Sequence, residues 1–588
     1  MSWMLPLPVV VPLLAAAVVV AGDRLLPGRL LDAVGIGAAA SVCALGIALM
    51  LVSERGGAVQ WFGGWRPHAG LAIGIAFVDD PFGAGMIALA GAIVCVALLY
   101  SLTYLTEAAR LFDTLMLVCL GALCGFAVSG DLFNLFVWLE LAGVAAYALT
   151  GFEMRDIGPL QGSVNFAITN TLGGYLVLTG LALTYARTGA LNLAQIGRAL
   201  AGHRPDGLVV VAFTLIAAGF LCKAAVVPFH FWLADAYAVA PAPVCAVFAG
   251  VMTDIGLLGV ARVYWTAFSA AGLHIGGLLV VLGVVSALLG GTMAYLQRHL
   301  KRMLAYSVVC HIGIMLAGIG LLSPRGVAGA ADMLLAHGLA TAGLFLAVGV
   351  VVARLRSVDE LHLHGRAAGM HALAVVWTLG ALALVGVPYL GDYLGHAEID
   401  AAANAAGRAW APPFLWIAGA LASAALLRAG ARIFLGAGRR HDPLLSPEMK
   451  ETPPRRGTRT RPLLAGSGLL VGLAALVSVV PGLASRSEYG GERLVGRAAY
   501  AAHVLDGVPV ARVPRLPFSL EAGSGESVLY GLGATFLAAL LAWIGLYRPL
   551  RIPVGGLKAL HSGVVGDYVM WVVVGTALLG GVWAVTMR

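Results

Sequence analysis

Charge is the scarcest property of this 588-residue sequence: only 11% of the residues are Asp, Glu, Lys or Arg, and only four are lysine. Hydrophobic residues make up 60% of the chain, and the mean hydropathy is +0.91. This composition excludes a soluble globular domain, in which about 25% of the residues are charged. Apolar runs of about 20 residues, enough to span hydrocarbon as a helix, continue without the alternation that a β-barrel needs. The sequence therefore predicts an all-α integral membrane protein.

The sequence also lacks the ligand patterns of cofactor and metal proteins. The seven cysteines lie almost wholly within apolar runs and show neither zinc nor iron–sulfur spacing. No phosphate-binding or dinucleotide fingerprint follows a predicted strand. We therefore expect no cofactor, no metal and no catalytic centre in this chain, while membership of an enzyme complex stays open. The net charge of +8 comes mainly from arginines in short connections, so it indicates topology and not nucleic-acid binding.

Hydropathy predicts about sixteen membrane spans. They cover residues 3–21, 31–53, 82–105, 113–130, 131–151, 162–186, 207–228, 243–266, 275–295, 301–321, 328–353, 371–394, 409–434, 463–484, 527–547 and 566–586. The first segment is interpreted as a span and not a signal peptide, because no clear cleavage site precedes Asp23. Arginines cluster in alternate connections, which the positive-inside rule assigns to the cytoplasm. Both termini and the long loop at 485–525 are then expected outside.

Two of the charged residues inside the predicted spans form a candidate pair, at a depth where a charge costs about 2.5 to 3.5 kcal/mol on insertion scales. Lys223 interrupts the apolar run VVVAFTLIAAGFLCKAAVVPFHFW, and Glu140 lies in NLFVWLELAGVAAYAL. Pro228 removes a backbone hydrogen bond close to Lys223, so we expect a broken helix there. A proton path is the first hypothesis for this pair of charges. A structural ion pair that holds two helices together is the alternative.

Four long motifs carry a family resemblance: GDLFNLFVWLE (130–140), KAAVVPFHFWLADAYAVAP (223–241), LKRMLAYSVVCHIG (300–313) and AHGLATAGLFL (336–346). They resemble the antiporter-like proton-conducting subunits that respiratory complex I, Mrp-type sodium/proton antiporters and membrane-bound hydrogenases share. The phrase GDLFNLF is most similar to the D-type subunit of Mrp antiporters. The ending LHSGVVGDYVMW (560–571) looks like the C-terminal extension of longer members.

The resemblance implies a bundle of about fourteen core transmembrane helices, to which this chain adds about two C-terminal ones. It implies broken helices near Lys223 and His396, at the family's seventh and twelfth positions. Glu140 matches the fifth-helix glutamate of the family, Lys223 the seventh-helix lysine, and His337 an eleventh-helix histidine on the hydrophilic axis.

Three positions depart from the family pattern and change the type of charge. Asp254 lies where an eighth-helix lysine or histidine is usual, His396 where a twelfth-helix lysine or glutamate is usual, and Asn165 where a sixth-helix lysine is frequent. Asp254 has two interpretations. It could clamp Lys223 as an ammonium ion and block transfer, or it could carry the proton itself. His311 is expected near a helix end, where capping explains it as well as function does.

These observations predict a proton-translocating membrane subunit of a multisubunit cation/proton antiporter or related respiratory complex, in the cell inner (plasma) membrane. The expected proton pathway consists of five residues: Glu140, Lys223, Asp254, His337 and His396. A proton-conducting core at 111–440 would hold the pathway, between N-terminal helices at 1–110 and C-terminal helices at 441–588.

The expected partners are other membrane subunits, protons and the lipid bilayer, with Na⁺ as a candidate coupled ion and no nucleic acid. Two alternatives stay open. The first is a redox-driven proton-pumping subunit of an NADH:quinone oxidoreductase-like or hydrogenase complex. The second is a structural subunit that has lost conduction because Asn165, Asp254 and His396 replace the usual residues.

Overall fold

The computed structural model describes residues 2–105, 109–152, 157–439, 459–510, 524–548 and 563–586. These ranges are almost entirely helical, which confirms the all-α fold class. Two short strands, β1 (Val59–Trp61) and β2 (Ala76–Val78), pair antiparallel. The helices are α1 (Leu7–Gly22), α2 (Gly28–Glu54), α3 (Pro81–Tyr104), α4 (Ala109–Val128), α5 (Leu132–Thr150), α6 (Ile157–Thr188), α7 (Leu193–Leu200), α8 (Gly207–Lys223), α9 (Phe231–Val239), α10 (Ala242–Val247), α11 (Asp254–Thr266), α12 (Gly276–Leu296), α13 (Leu300–Gly320), α14 (Pro324–Leu355), α15 (His371–Val385), α16 (Tyr393–Ala405), α17 (Ala411–Leu435), α18 (Thr460–Leu476), α19 (Leu483–Val495), α20 (Arg497–Asp506), α21 (Gly525–Tyr547) and α22 (Val565–Thr586).

The described chain contains fourteen helical segments that are long and apolar enough to cross a membrane. They coincide with fourteen of the sixteen predicted spans; one of them, Ala242–Thr266, joins α10 to α11 through a π-helical turn at Phe248–Met252. The other two predicted spans are broken helices. The span predicted at 207–228 holds α8 alone, and the helix resumes as α9 at Phe231, beyond the predicted end. The span predicted at 371–394 holds α15 and only the first two residues of α16, which continues to Ala405. Broken helices near Lys223 and His396 are therefore confirmed.

Local backbone conformation explains the first break. Helix α8 ends at Lys223, Ala225 has a positive φ of 54°, and Pro228 has no N–H to donate. Backbone groups that leave a helix inside a membrane protein need other partners. The N–H of Val227 accordingly donates to Ser286 Oγ of α12 at 3.1 Å.

The second break begins with a left-handed turn. Gly386, which ends α15, has a φ of 73°, and Tyr389 and Gly391 follow with φ values of 65° and 53°. Glycine adopts this region without steric cost, whereas Tyr389 is strained there. The helix resumes at Tyr393 after Asp392, whose N–H donates to the carbonyl of Ala383 at 2.9 Å.

The centre of the bundle consists of α13, α14 and the span Ala242–Thr266, whose most apolar stretches are 100%, 94% and 100% buried, against 22% for α21 and α22. Small residues allow this close packing. A methyl group added to Gly283 of α12 would lie 2.6 Å from the carbonyl oxygen of Gly313 in α13. Such contacts are the usual means of helix association in membranes.

The arginine-rich connections meet at one end of the bundle, as the positive-inside assignment requires. A backbone bridge joins His299 to Asp359, and the N–H of Arg439 donates to the carbonyl of Leu546 at 3.4 Å. The connections that follow α12, α14, α17 and α21 therefore share this end. The basic residues at 440–458 and 549–562 lie outside the described residues.

A buried ion cluster holds these connections together. Glu360 Oε1 lies 2.5 Å from Arg432 Nη1 and 3.2 Å from Arg428 Nη2. Arg428 also donates to the carbonyl of Tyr295 at 2.6 Å, and Arg432 to that of Gly545 at 2.7 Å. Four segments are therefore joined by one carboxylate and two guanidinium groups.

The loop predicted at 485–525 contains α20 and most of α19, and its residues 511–523 lie outside the described residues. Arg493 donates to the carbonyl of Ser53 at 2.6 Å, and Arg497 to that of Gly197 at 3.2 Å. These bonds fix α19 and α20 at the end of the bundle opposite the arginine-rich connections.

Candidate functional site

The first break holds a buried ammonium group against an aromatic face. Lys223 is 4% exposed, and its Nζ lies 5.6 Å from the ring centroid of Phe166, within cation–π range. The Phe166 ring stacks on Trp232 of α9, with 4.4 Å between the ring centroids. Trp232 Nε1 donates to the carbonyl of Cys222 in α8 at 3.0 Å. Both halves of the broken helix therefore support the aromatic ring beside the charge.

Glu140 of α5 faces α6 and interacts electrostatically with Lys223. Gly174 makes room for it, because a methyl group there would lie 1.9 Å from Glu140 Oε1. No direct ion pair joins Glu140 to Lys223 in the described chain. The structural ion pair of the alternative interpretation is therefore not formed. Proton transfer between the two groups needs a bridging water molecule or side chain.

Asp254 is the first residue of α11, directly after the π-helical turn, and it is fully buried. Within the described residues neither carboxylate oxygen has a hydrogen-bond partner. The described groups that interact electrostatically with Lys223 are Glu140, Cys119 and Cys222. The clamp on Lys223 that one interpretation of Asp254 required is therefore absent from the described contacts.

The π-helical turn connects the Asp254 segment to His337 in α14. The carbonyl of Ala249 accepts a hydrogen bond from Thr341 Oγ1 at 3.4 Å, and Thr341 also donates to the carbonyl of His337 at 2.7 Å. Two glycines let the backbones of these two spans approach each other closely. A methyl group on Gly338 of α14 would lie 2.4 Å from the carbonyl oxygen of Gly250. The span Ala242–Thr266 and α14 are thus in direct backbone contact near both predicted residues.

At the second break, His311 of α13 lies between a carboxylate and two carbonyls. Its Nδ1 lies 2.7 Å from the carbonyl of Ser307, and its Nε2 lies 3.0 Å from that of Leu384 and 3.5 Å from Asp392 Oδ2. A neutral imidazole has one N–H, so only an imidazolium donates at both nitrogens. The His311 ring stacks on His337 with 4.5 Å between centroids. Leu384 and Asp392 flank the break, so the interrupted helix itself supplies these partners.

His396 begins a second part of this cluster, which leads away from the bundle centre. Its ring stacks on Trp416 of α17 at 4.1 Å. Trp416 Nε1 donates to Asp400 Oδ2 at 2.9 Å, and Asp400 Oδ1 has no hydrogen-bond partner among the described residues. Asp400 lies four residues after His396 on α16, one helical turn away. Both ring nitrogens of His396 are buried without a hydrogen-bond partner among the described residues.

His311, His337 and Asp392 also form the one described group of potential metal ligands, with their ligand atoms within 4.8 Å of one another. Two imidazoles and a carboxylate would suit a zinc ion. Both nitrogens of His311, however, already face backbone carbonyls. Metal binding would break at least one of these bonds, so the arrangement suits a hydrogen-bonded proton site better.

The structure thus places Lys223 and His396 at the two breaks, and Asp254 and His337 on two buried spans that touch each other. Glu140 lies on α5, outside the breaks.

The structure also adds three residues that sequence reasoning missed. His311, expected near a helix end, lies in the middle of α13, and Asp392 and Asp400 flank His396. The sequence contains a feature that could have indicated each of these three residues. His311 is the midpoint of the predicted span 301–321, and GDYLGHAEID places both aspartates beside an apolar run.

A membrane-crossing bundle with two broken helices, each with ionisable residues beside its break, defines the class of ion-translocating membrane subunits. The family model of the transmembrane region of NADH:quinone oxidoreductase and Mrp antiporter subunits matches residues 129–424. The chain belongs to this family, as its motifs indicated.

Individual relatives agree with this assignment. NADH-quinone oxidoreductase subunit N of Desulforudis audaxviator is 34% identical over 364 residues, which cover 60% of this chain and 71% of that protein. The subunit N of Saccharopolyspora erythraea is 33% identical over 319 residues, covering 53% of this chain and 62% of that protein, less than two thirds of its length. A chain in the structure of the Mrp complex from Dietzia sp. is 26% identical with a TM-score of 0.75, covering 86% of this chain and 100% of that one. This chain is therefore a multi-pass membrane protein of a type that works with other membrane subunits.

Proposed function

We propose that the chain moves protons across the membrane through the two breaks and the spans between them. The predicted residues lie on this route: Glu140, Lys223, Asp254, His337 and His396. To these the proposal adds His311, Asp392 and Asp400. The observation that carries it is the second break, where a freed carbonyl and a buried carboxylate converge on His311 and the ring of His337 stacks on it.

Coupling along this line is electrostatic. Two unit charges about 7 Å apart at an effective dielectric near 20 interact by about 2.4 kcal/mol. That energy corresponds to between one and two pKa units, so a proton that arrives on one group weakens the hold of its neighbour. Lys223 and Glu140 interact in this way in the first half, and His311 and His396 in the second.

The two halves open toward opposite faces. At the arginine-rich end, Asp235 of α9 lies 3.5 Å from Arg302 and accepts a hydrogen bond from Tyr568 at 2.5 Å. At the other end, Asp400 interacts electrostatically with the exposed Glu526. Protons taken up beside α9 would therefore leave beside α16.

The driving reaction lies outside this chain in our proposal. The chain is a subunit of a cation/proton antiporter, with Na⁺ as a candidate coupled ion, or of a respiratory complex in the plasma membrane. Its likeness to an Mrp complex chain and to oxidoreductase subunits supports these two settings equally. Adjacent genes for small antiporter subunits, or for iron–sulfur subunits, would distinguish them.

Proton flux in liposomes with the reconstituted complex tests the proposal. His337→Gln and His311→Gln keep a polar side chain of similar size but cannot carry a proton. We expect both to lower flux to less than about a tenth of normal, as is typical when proton transfer is removed. His371→Gln is the matched control, because His371 is exposed at the start of α15. Normal flux in both buried variants, at normal assembly, would refute the proposed route.

A further inference from the structure

Helix α22 packs a single narrow face against the first break. Its buried residues recur every three or four positions and form one stripe. They are Tyr568, Val572, Gly575, Leu579 and Trp583. Gly575, the middle of this stripe, meets the break itself: a methyl group there would lie 2.6 Å from Pro228 Cγ and 2.8 Å from a ring carbon of Phe229. Both distances are well inside van der Waals contact.

Helix α21 packs against the second break in the same way. Its buried stripe consists of Ser527, Gly531, Ala534, Ala538, Ala542 and Leu546. A methyl group on Gly531 would lie 2.9 Å from the carbonyl oxygen of Gly386 and 3.2 Å from Pro388 Cδ. Each C-terminal helix therefore sets one glycine against the proline of one break.

Each of these helices also makes a polar contact with the half-helix that follows its break. The hydroxyl of Tyr568 in α22 donates to Asp235 of α9 at 2.5 Å. Nδ2 of Asn404 in α16 donates to Glu526 Oε2 of α21 at 3.3 Å. Two independent contacts, one apolar and one polar, thus connect each helix to its own break.

We infer that α21 and α22 are clamps that hold the two breaks in their conducting shape, with Gly531 and Gly575 as positioning residues. The glycines touch the prolines and not the titrating groups. Segments without helical hydrogen bonds open easily unless packing restrains them. The clamp holds Lys223 at the end of α8, and Asp392 beside His311. Its effect on transport rests on the proposed function, whereas its effect on the breaks does not.

The chain provides matched controls on the same two helices. A methyl group on Gly533 of α21 or on Gly581 of α22 would have no heavy atom within 4 Å. Every Gly→Ala change in a helix alters its propensity by a similar amount, about 1 kcal/mol. Gly581→Ala is therefore the control for Gly575→Ala, and Gly533→Ala is the control for Gly531→Ala. A difference in exchange or flux within either pair measures the effect of contact with the break.

Hydrogen–deuterium exchange of the assembled complex is the first measurement. We expect Gly575→Ala to raise exchange at 224–230 and not at 386–392, and Gly531→Ala to do the reverse. Gly533→Ala and Gly581→Ala should change neither segment. If Gly575→Ala does not assemble, Tyr568→Phe removes only the hydroxyl that bonds Asp235 and should raise exchange at the first break by a smaller factor. Equal exchange in these variants and their controls would overturn the clamp.

Proton flux per assembled complex is the second measurement. A displacement of about 1 Å at reacting groups costs up to about a hundredfold in rate, so we expect Gly575→Ala and Gly531→Ala to lose about tenfold or more. Control-level flux despite local exchange would overturn the positioning role. The proposed function has its own readout: if Lys223→Ala transports normally while the exchange pattern appears, the proton route fails and the clamp stands.

Discussion

The ammonium group of Lys223 lies 5.6 Å from the ring centre of Phe166 and makes no direct ion pair with Glu140. A desolvated aromatic face stabilises a cation by about 2 kcal/mol, whereas breaking a buried ion pair costs about 3 to 5 kcal/mol. A lysine held by a ring is therefore less firmly fixed than one held by a carboxylate. The second break differs, because there Asp392 and a backbone carbonyl face His311 directly.

Lys223→Ala and Glu140→Ala are each expected to abolish proton-coupled transport in membrane vesicles, while the subunit stays inserted and assembled. Each removes one charge from a bundle of many helices. Lys223→Arg separates charge from titration, because arginine stays protonated in proteins. We expect it to assemble and to transport at less than about a tenth of the normal rate. Normal transport in both alanine variants would show that Lys223 and Glu140 are not part of the proton route.

Asp254→Asn is expected to stop transport, because the amide cannot titrate and the described contacts of Asp254 include no bond to Lys223. Flux in reconstituted complex is the measurement. Increased flux or a proton leak would instead support the interpretation that Asp254 holds Lys223 as an ammonium ion. Unchanged flux would exclude both roles. Asp506→Asn is the control for loss of a carboxylate away from the proposed route, because Asp506 lies at the exposed end of α20, where it pairs with Arg198.

Asp392→Asn is expected to lower flux about tenfold or more, since it removes the only carboxylate that lies 3.5 Å from His311 Nε2 within the described structure. Asp400→Asn keeps an oxygen that can accept from Trp416 but cannot carry a proton. A loss of flux in both variants supports an exit beside α16. A loss of flux in Asp392→Asn alone would show that protons do not leave through Asp400.

Asp79, between β2 and α3 and outside the spans, should make stability depend on pH. Its burial and the neighbouring Asp80 raise the pKa of the Asp79 carboxyl to about 8, against the opposing charge of Arg493. The unfolded carboxyl has a pKa of about 4. The folded state therefore binds the extra proton between about pH 4 and pH 8, and the free energy of unfolding falls as pH rises through that window.

Melting temperatures of the detergent-purified protein at several pH values test this linkage. Asp79→Asn cannot titrate, so its stability should fall less than that of the natural protein between about pH 5 and pH 8. Asp506→Asn should follow the natural protein. Parallel curves for Asp79→Asn and the natural protein would contradict the raised pKa of Asp79.

Much of the fold was predictable because the membrane imposes simple rules. A span needs about 20 apolar residues, and a buried proline or charge marks a place where a helix is interrupted or functional. These rules located the fourteen spans that the described chain forms and the break beside Lys223, although they placed the end of that broken helix too early. Motif resemblance added the break beside His396. The sequence did not show that His311 and Asp392 meet, because 81 residues separate them along the chain and no local pattern links them.

By itself the sequence determined the class of protein, its spans, the end of the bundle that carries the arginine-rich connections, and most of its intramembrane charges. Each of these depends on local composition. Only the tertiary structure decided the partners of those charges. It set Lys223 against a ring, left Asp254 without a bond to Lys223, and brought Gly575 onto Pro228 across more than 300 residues. Such contacts depend on which helix faces meet, and that is decided by the packing of the whole bundle.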